Sequence, residues 1–539
     1  AQQKAKLLQS KIAQYVTVDS KTNKENLKQE IDNLKWDLIE ATLEERGETD
    51  KLDEIKKLRK DRVKPFFIWK LEFGEVFKNN GGFDVVIGNP PYIQLQKAIS
   101  EGSKVKHGDL YAGLDYQTFK RSGDIYALFY ELGINVLKDT GHLTYITSNK
   151  WMRAGYGDVL RGFFARQNPK ILLDFGGFKV FKNATVDVNI LIIKKSSNKN
   201  LLKASHFKND FQKGNGIAGY FDKTKVELND LSDETWFIGS NSEATLKQKI
   251  EKTGVPLKDW NVKISYGIKT GFNEAFIIDK DKRDELISLD YRNAEIIKPM
   301  LRGKDIKKYR HKFAEQYLIA LFPVLNIDIE KYPFIKEFLL GFKPKLRQEG
   351  VVISAHDREK VTTHAAKHQI NLKEPQLKKS RKKTSNKWFE TQDQITYHEN
   401  FYDEKIMYPV MSSEASFFYD KKSFFCNDKG FIISGRKLKY LVACLNSKIT
   451  HRYLEMICSP LGDAAVEYRK IYLDLLPIPF ITQSNQFLVD QVEELVELRI
   501  DGNESEISNA AIEQQIDQLV YQLYDLTDEE IAIVEKASN

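Results

Sequence analysis

The stretch Phe83-Asp84-Val85-Val86-Ile87-Gly88-Asn89-Pro90-Pro91-Tyr92 constrains this chain more than any other. Its first half is a short, β-rich apolar run, the signature of a buried strand. Pro90 and Pro91 have no N–H to give a ladder, so the strand must stop there. Asn89 is thereby placed at the carboxyl end of a buried strand, where open α/β sheets hold their ligands.

Asn89, Pro90, Pro91 and Tyr92 suit one chemistry. The exocyclic amine of adenine is a poor nucleophile because its lone pair is delocalised into the ring. Two acceptors facing its two N–H bonds favour the positive charge that develops on attack. The Asn89 side-chain oxygen is one such acceptor, and the Pro90 carbonyl, between two φ-locked residues, is the other. Tyr92 offers a flat face to a base taken out of the helix.

These residues resemble motif IV of the adenine-N6 DNA methyltransferases, in the branch where target recognition follows catalysis. Two further stretches extend the resemblance. Asp124-Ile125-Tyr126-Ala127-Leu128-Phe129 is similar to motif V, which implies Phe129 beside the adenine of S-adenosylmethionine. Val180-Phe181-Lys182-Asn183-Ala184 is similar to motif VIII, which implies Phe181 on the flipped base opposite Tyr92. The glutamine methyltransferases that act on release factors share the Asn-Pro-Pro-Tyr residues, so the substrate class must be decided elsewhere in the chain.

Length and charge bound the rest. A chain of 539 residues implies two to four domains. Lys and Arg outnumber Asp and Glu by 83 to 76, which permits a polyanion partner without demanding one. Cys426, Cys444 and Cys458 are widely spaced, so neither a zinc site nor a disulfide framework is signalled, and a reducing cytoplasm fits. No apolar run approaches ~18 residues, so no membrane partner is expected.

Along the chain, residues 1–64 read as a charged helical connector, with Leu27, Ile31, Leu34 and Leu38 at helical spacing and Pro65 ending the region. Glu54-Ile55-Lys56 imitates half of a nuclease site, but on a helix rather than a strand. Residues 65–200 read as the carboxyl-terminal half of a Rossmann-like methyltransferase sheet. The loop from Ile93 to Asp124 is basic, and a helix follows from Asp124, stopping near Gly141. Strands are expected at His142–Thr147, Lys170–Phe175 and Val186–Ile193. Residues 201–254 are an extension, in which Gly214-Asn215-Gly216-Ile217-Ala218-Gly219 imitates a dinucleotide motif. No helix is expected to open there, so this is read as a turn.

Residues 255–480 are expected to form an α+β recognition domain, and 481–539 closing helices. The basic run Lys367 to Trp388 contains Lys378, Lys379, Arg381, Lys382 and Lys383, a candidate phosphate-tracking surface. Tyr266–Phe276, Lys298–Ile306, Trp388–Glu390 with Lys405–Pro409, and Leu445–Lys448 running to Pro479 resemble the TaqI-like specificity domain. That resemblance implies double-stranded DNA as the partner, with Lys269, Arg302 and Lys304 as further contacts.

The donor-binding glycine-rich turn should precede Asn89, and residues 1–82 hold none. The chain is therefore expected to be a fragment, inactive alone, with most of the S-adenosylmethionine pocket upstream of residue 1. The whole resembles the fused type IIG restriction–modification enzymes, in which Mg2+ would serve only a nuclease domain outside this stretch. A methyltransferase subunit of a phage-defence system and a non-catalytic DNA-binding module are the alternatives. Methylation of RNA or of a protein glutamine is a further one.

Overall fold

The computed structural model describes residues 2–64, 66–100, 103–176, 178–181, 186–207, 211, 216–458, 466–501 and 506–536. The chain divides into two compact units, Ala1–Ile238 and Gly239–Asn539.

The first unit opens with the helices Gln2–Thr17, Lys21–Arg46 and Thr49–Lys60. Gly47, at φ +67°, ends the second of them in the left-handed conformation that only glycine adopts freely. Leu8 and Ile31 are buried, and ion pairs link neighbouring helices: Lys11 to Glu30 at 2.7 Å, and Arg59 to both Asp37 at 2.8 Å and Glu40 at 2.9 Å. Trp36 meets Phe66 edge-on at 5.6 Å and anchors the connector to the segment that enters the sheet. Pro65 lies outside the described residues.

The sheet has six strands: β1 (Phe83–Gly88), β2 (Leu137–Ser148), β3 (Asn168–Asp174), β4 (Val188–Lys194), β5 (Leu202–His206) and β6 (Val226–Leu228). Their order is β1-β2-β4-β3-β5-β6. β1 and β2 are parallel, β4 runs antiparallel between β2 and β3, and β3 and β5 are parallel. The carboxyl ends of β1, β2, β3 and β5 therefore share one edge. The helix Tyr126–Val136 packs one face, with Tyr130, Trp151, Phe164 and Leu191 fully buried beneath it. Trp151→Ala in such a core typically costs about 3–5 kcal/mol.

β1 departs from its expected burial. It is the outer strand of the described sheet, and Val85 and Ile87 are 59% and 78% exposed. Two further expectations need correction. The helix ends at Val136 and β2 begins at once, so Gly141 lies inside the strand rather than before it. A helix does open within the glycine pattern, over Ile217–Thr224, because Ile217, Tyr220 and Phe221 recur at helical spacing. Residues 212–215 lie outside the described residues, and β5 ends at His206, well before Gly214.

The second unit is α+β. It begins with the helix Asn241–Thr253, capped reciprocally by Ser240 and Glu243. One four-stranded sheet orders Phe418–Asp420, Lys405–Pro409, Gly430–Gly435 and Val262–Tyr266; a second is built around Ile297–Leu301. Lys405 and Asp420, both fully buried, form an ion pair at 2.6 Å within the first. The helices Gln486–Asp501, Glu506–Leu523 and Asp528–Lys536 lie in this same unit. Cys426, Cys444 and Cys458 are buried, and burial pushes the Cys426 thiol up to about 12.

Candidate active site and nucleic-acid surface

At the carboxyl end of β1 the two prolines stop the ladder, leaving Asn89 exposed and Pro90 buried. Tyr92 turns back over the sheet. Its hydroxyl donates to the Ile146 carbonyl of β2 at 3.3 Å, and its ring meets Tyr126 edge-on at 6.2 Å. Burial, and then the nearby Asp124 carboxylate, raise its phenol to about 12, so the ring stays neutral.

Sequence reasoning does not single out Asp124 as a site residue, although an Asp before an apolar helix is a start signal. Its carboxylate accepts the Ile93 N–H at 2.8 Å and lies near the Ile125 and Tyr126 amides. Burial raises its pKa, opposed by those amides. The Ile125 N–H donates in turn to the Ile93 carbonyl at 2.9 Å. Asp124 thus ties the exit of the Asn-Pro-Pro-Tyr turn to the start of the helix Tyr126–Val136. One turn into that helix, Phe129 is half-buried against Leu95, Ile125 and Leu128.

Phe181 and Tyr92 pack against one cluster, formed by Leu173, Phe175, Val188, Phe207 and Phe211. The structure thus brings both aromatic candidates to the sheet edge that carries Asn89. Lys182, Asn183 and Ala184 lie outside the described residues.

In the second unit Lys269, Lys304, Lys378, Lys379, Lys382 and Lys383 are exposed. Arg381 is not, which corrects its expected contact with DNA. It is 2% exposed, and its guanidinium donates to the carbonyls of Leu346 at 2.9 Å, Thr270 at 2.7 Å and Trp388 at 2.7 Å. Burial lowers its pKa to about 9. Gly271, at φ +81°, makes room: a Cβ there would stand 2.8 Å from both Arg381 Cδ and Gln392 Oε1. The Gln392 backbone N–H donates to the Thr270 carbonyl at 3.1 Å, and its side-chain amide donates to the Lys382 carbonyl at 3.3 Å. Arg381 and Gln392 therefore bring the Lys269 loop against the Lys382–Lys383 loop. Arg302 is likewise committed, gripping Asp305 of its own turn through two bonds of 2.8 Å.

Among the described residues no group of three or more His, Cys, Asp or Glu is arranged to hold a metal ion, and no helix is long and apolar enough to cross a membrane.

A sheet with Asn-Pro-Pro-Tyr at one strand end is thus joined in sequence to a separate α+β unit with exposed lysines. Comparison with known families bears on both parts. Residues 3–181 match the Eco57I restriction-modification methylase family, and residues 298–478 match the TaqI-like C-terminal specificity domain. The relatives are type II restriction–modification proteins. The chain is 25% identical to the type II restriction enzyme and methyltransferase RM.Eco57I of Escherichia coli over 406 residues, 71% of this chain and 38% of that protein. It is 23% identical to the type II methyltransferase M.BstVI of Geobacillus stearothermophilus over 497 residues, 88% of this chain and 78% of that one. The chain thus spans well under half the length of RM.Eco57I. The fold is similar to that of the type IIL restriction-modification enzyme MmeI, solved in complex with DNA, at a TM-score of 0.52 and 11% identity over 84% of this chain and 56% of that one.

Proposed function

We propose that this chain is the catalytic and target-recognition portion of a site-specific DNA adenine-N6 methyltransferase of the type IIG kind. The observation that carries the reading is the placement of Asn89, Pro90 and Tyr92 together at the carboxyl end of β1, with Asn89 exposed and the Tyr92 ring held over the sheet. The Asn89 amide oxygen and the Pro90 carbonyl accept the two N6 hydrogens of an extruded adenine. This localises the nitrogen lone pair and favours positive charge on N6. Tyr92 and Phe181 take the two faces of the base. Both rings rest on one apolar cluster, so little rotamer freedom is lost on stacking.

S-adenosylmethionine, when bound, supplies an electrophilic methyl group. Of the residues present, Phe129 would meet its adenine. The open edge of β1, with Val85 and Ile87 bare, fits the addition of donor-binding strands beside Asn89. Double-stranded DNA is the partner, with Lys269, Lys304, Lys378, Lys379, Lys382 and Lys383 meeting phosphates. Mg2+ would be required only if a nuclease domain accompanies this chain.

The test is transfer of labelled methyl groups by the full-length protein to duplex DNA, followed by nucleoside analysis. Label in N6-methyladenine, abolished by competitor duplex, is expected. Label in cytosine, or in RNA or protein despite competitor duplex, overturns the reading.

A further inference from the structure

Asp174, at the carboxyl end of β3, is fully buried. Burial disfavours its ionised form, yet His206 first, then the Arg153 charge and last Asn149 keep its pKa below the ordinary carboxylate value. Its Oδ1 accepts from Asn149 Nδ2 at 2.8 Å and from the Gly176 N–H at 3.1 Å, and its Oδ2 pairs with His206 Nδ1 at 3.0 Å. Asn149, just beyond β2, makes a second connection: its own N–H donates to the Asp187 carbonyl at 3.1 Å.

One residue at the end of β2 thus bonds to the last residue of β3 through its side chain and to Asp187, just before β4, through its backbone. Phe181 lies between those two partners in sequence. Arg153 reaches Asp174 at only 3.8 Å, and its Nε and Nη1, with Asn149 Oδ1, are buried with no hydrogen-bond partner. A cluster that leaves such atoms unpaired is not optimised for stability, since well-packed apolar side chains in the same volume are often as stable.

We propose that Asn149 and Asp174 are positioning residues for the target base, a clasp whose hydrogen bond fixes the Phe181 segment beside Tyr92. This rests on the methyltransferase reading above. The clasp acts after DNA is bound: it sets the gap into which an extruded adenine fits, and contributes nothing to holding the duplex.

The experiment uses the full-length protein and duplex DNA with 2-aminopurine at the methylated position, whose fluorescence rises on extrusion. Asp174→Ala, which removes the acceptor, Asn149→Ser and the exchanged pair Asn149→Asp/Asp174→Asn are compared with wild type. The single variants are expected to lose the fluorescence rise and at least tenfold in kcat, with the Kd for DNA within threefold. The exchanged pair restores a donor facing an acceptor and should regain most of the signal. Single variants that extrude and methylate like wild type overturn the clasp, as does an equal loss of DNA affinity. If Asp174→Ala fails to fold, Asn149→Ser alone decides on the same two readouts. A wild type that neither methylates nor extrudes the base refutes the methyltransferase reading instead. The clasp is then decided without DNA, by amide exchange over residues 175–181: faster in Asn149→Ser supports it, unchanged overturns it.

Discussion

Asn89 and Asp174 end two parallel strands at the same edge of one sheet, and the sequence presents each as a polar residue closing an apolar run. One is exposed; the other is wholly buried among Asn149, Gly176 and His206. The difference lies in the neighbouring backbone. Pro90 and Pro91 offer no N–H to satisfy an acceptor, so the Asn89 side chain stays available to a ligand. Gly176 and the turn after β2 supply donors at once, and Asp174 is used up inside the protein. The second unit repeats the contrast within three residues: Lys382 and Lys383 are exposed, while Arg381 is spent on three carbonyls. A polar side chain at a site edge does chemistry or binding where the backbone around it leaves it unsatisfied.

The strongest way to break this comparison is Asn89→Ala. The account expects methylation to fall about a thousandfold, with DNA affinity unchanged in a filter-binding assay. A matching loss of affinity would mean that Asn89 holds the duplex rather than the base. Next in size is the arginine–lysine pair. Arg381→Ala strands three buried carbonyls and should lower stability by about 3 kcal/mol in urea melts. Lys382→Ala with Lys383→Ala should leave the melt alone and reduce the slope of log Kd against log salt by about two. Phe181→Ala sharpens the comparison within the site. Losing one stacking face should cost about tenfold to a hundredfold in kcat, together with the 2-aminopurine signal.

The smallest effect concerns Asp187, at the far end of the clasped segment. Burial first, and then Asp174, raise its pKa from 3.8 to about 6. Because the folded value lies above the unfolded one, the carboxyl is at its most favourable when protonated. Its contribution is therefore lost as pH climbs from about 4 through 6. Asp187→Asn should raise the free energy of unfolding at pH 7.5 by about 1 kcal/mol, after discounting for solvent screening of this half-buried group, and leave it unchanged at pH 4.

How much is legible in the sequence depends on where each constraint sits in the chain. Asn89 to Tyr92 can be read because the proline stop is local. The strands at His142, Lys170 and Val186 can be read because their apolar runs are continuous, and β2, β3 and β4 occupy those stretches. The helix Ile217–Thr224 escapes notice because the glycines on either side of Ile217 hide its short apolar face. Arg381 cannot be separated from its lysine neighbours. Its burial depends on Thr270 and Gly271, more than a hundred residues earlier, where no local signal points to it. Asp174 is hidden in the same way, since its partners arrive from Asn149 beyond β2 and His206 on β5. Sequence patterns report what neighbouring residues do to one another; the networks that fix a site's geometry are assembled across strands.

The central claim is that Asn89 acts on adenine N6 at a sequence chosen by the second unit. Single-molecule, modification-sensitive sequencing of DNA from cells expressing the full-length protein, wild type beside Asn89→Ala, tests it most directly. The account predicts N6-methyladenine at one fixed motif in the wild type and its loss in the variant. An unmodified genome from well-expressed wild type, or a modification that survives Asn89→Ala, would contradict it.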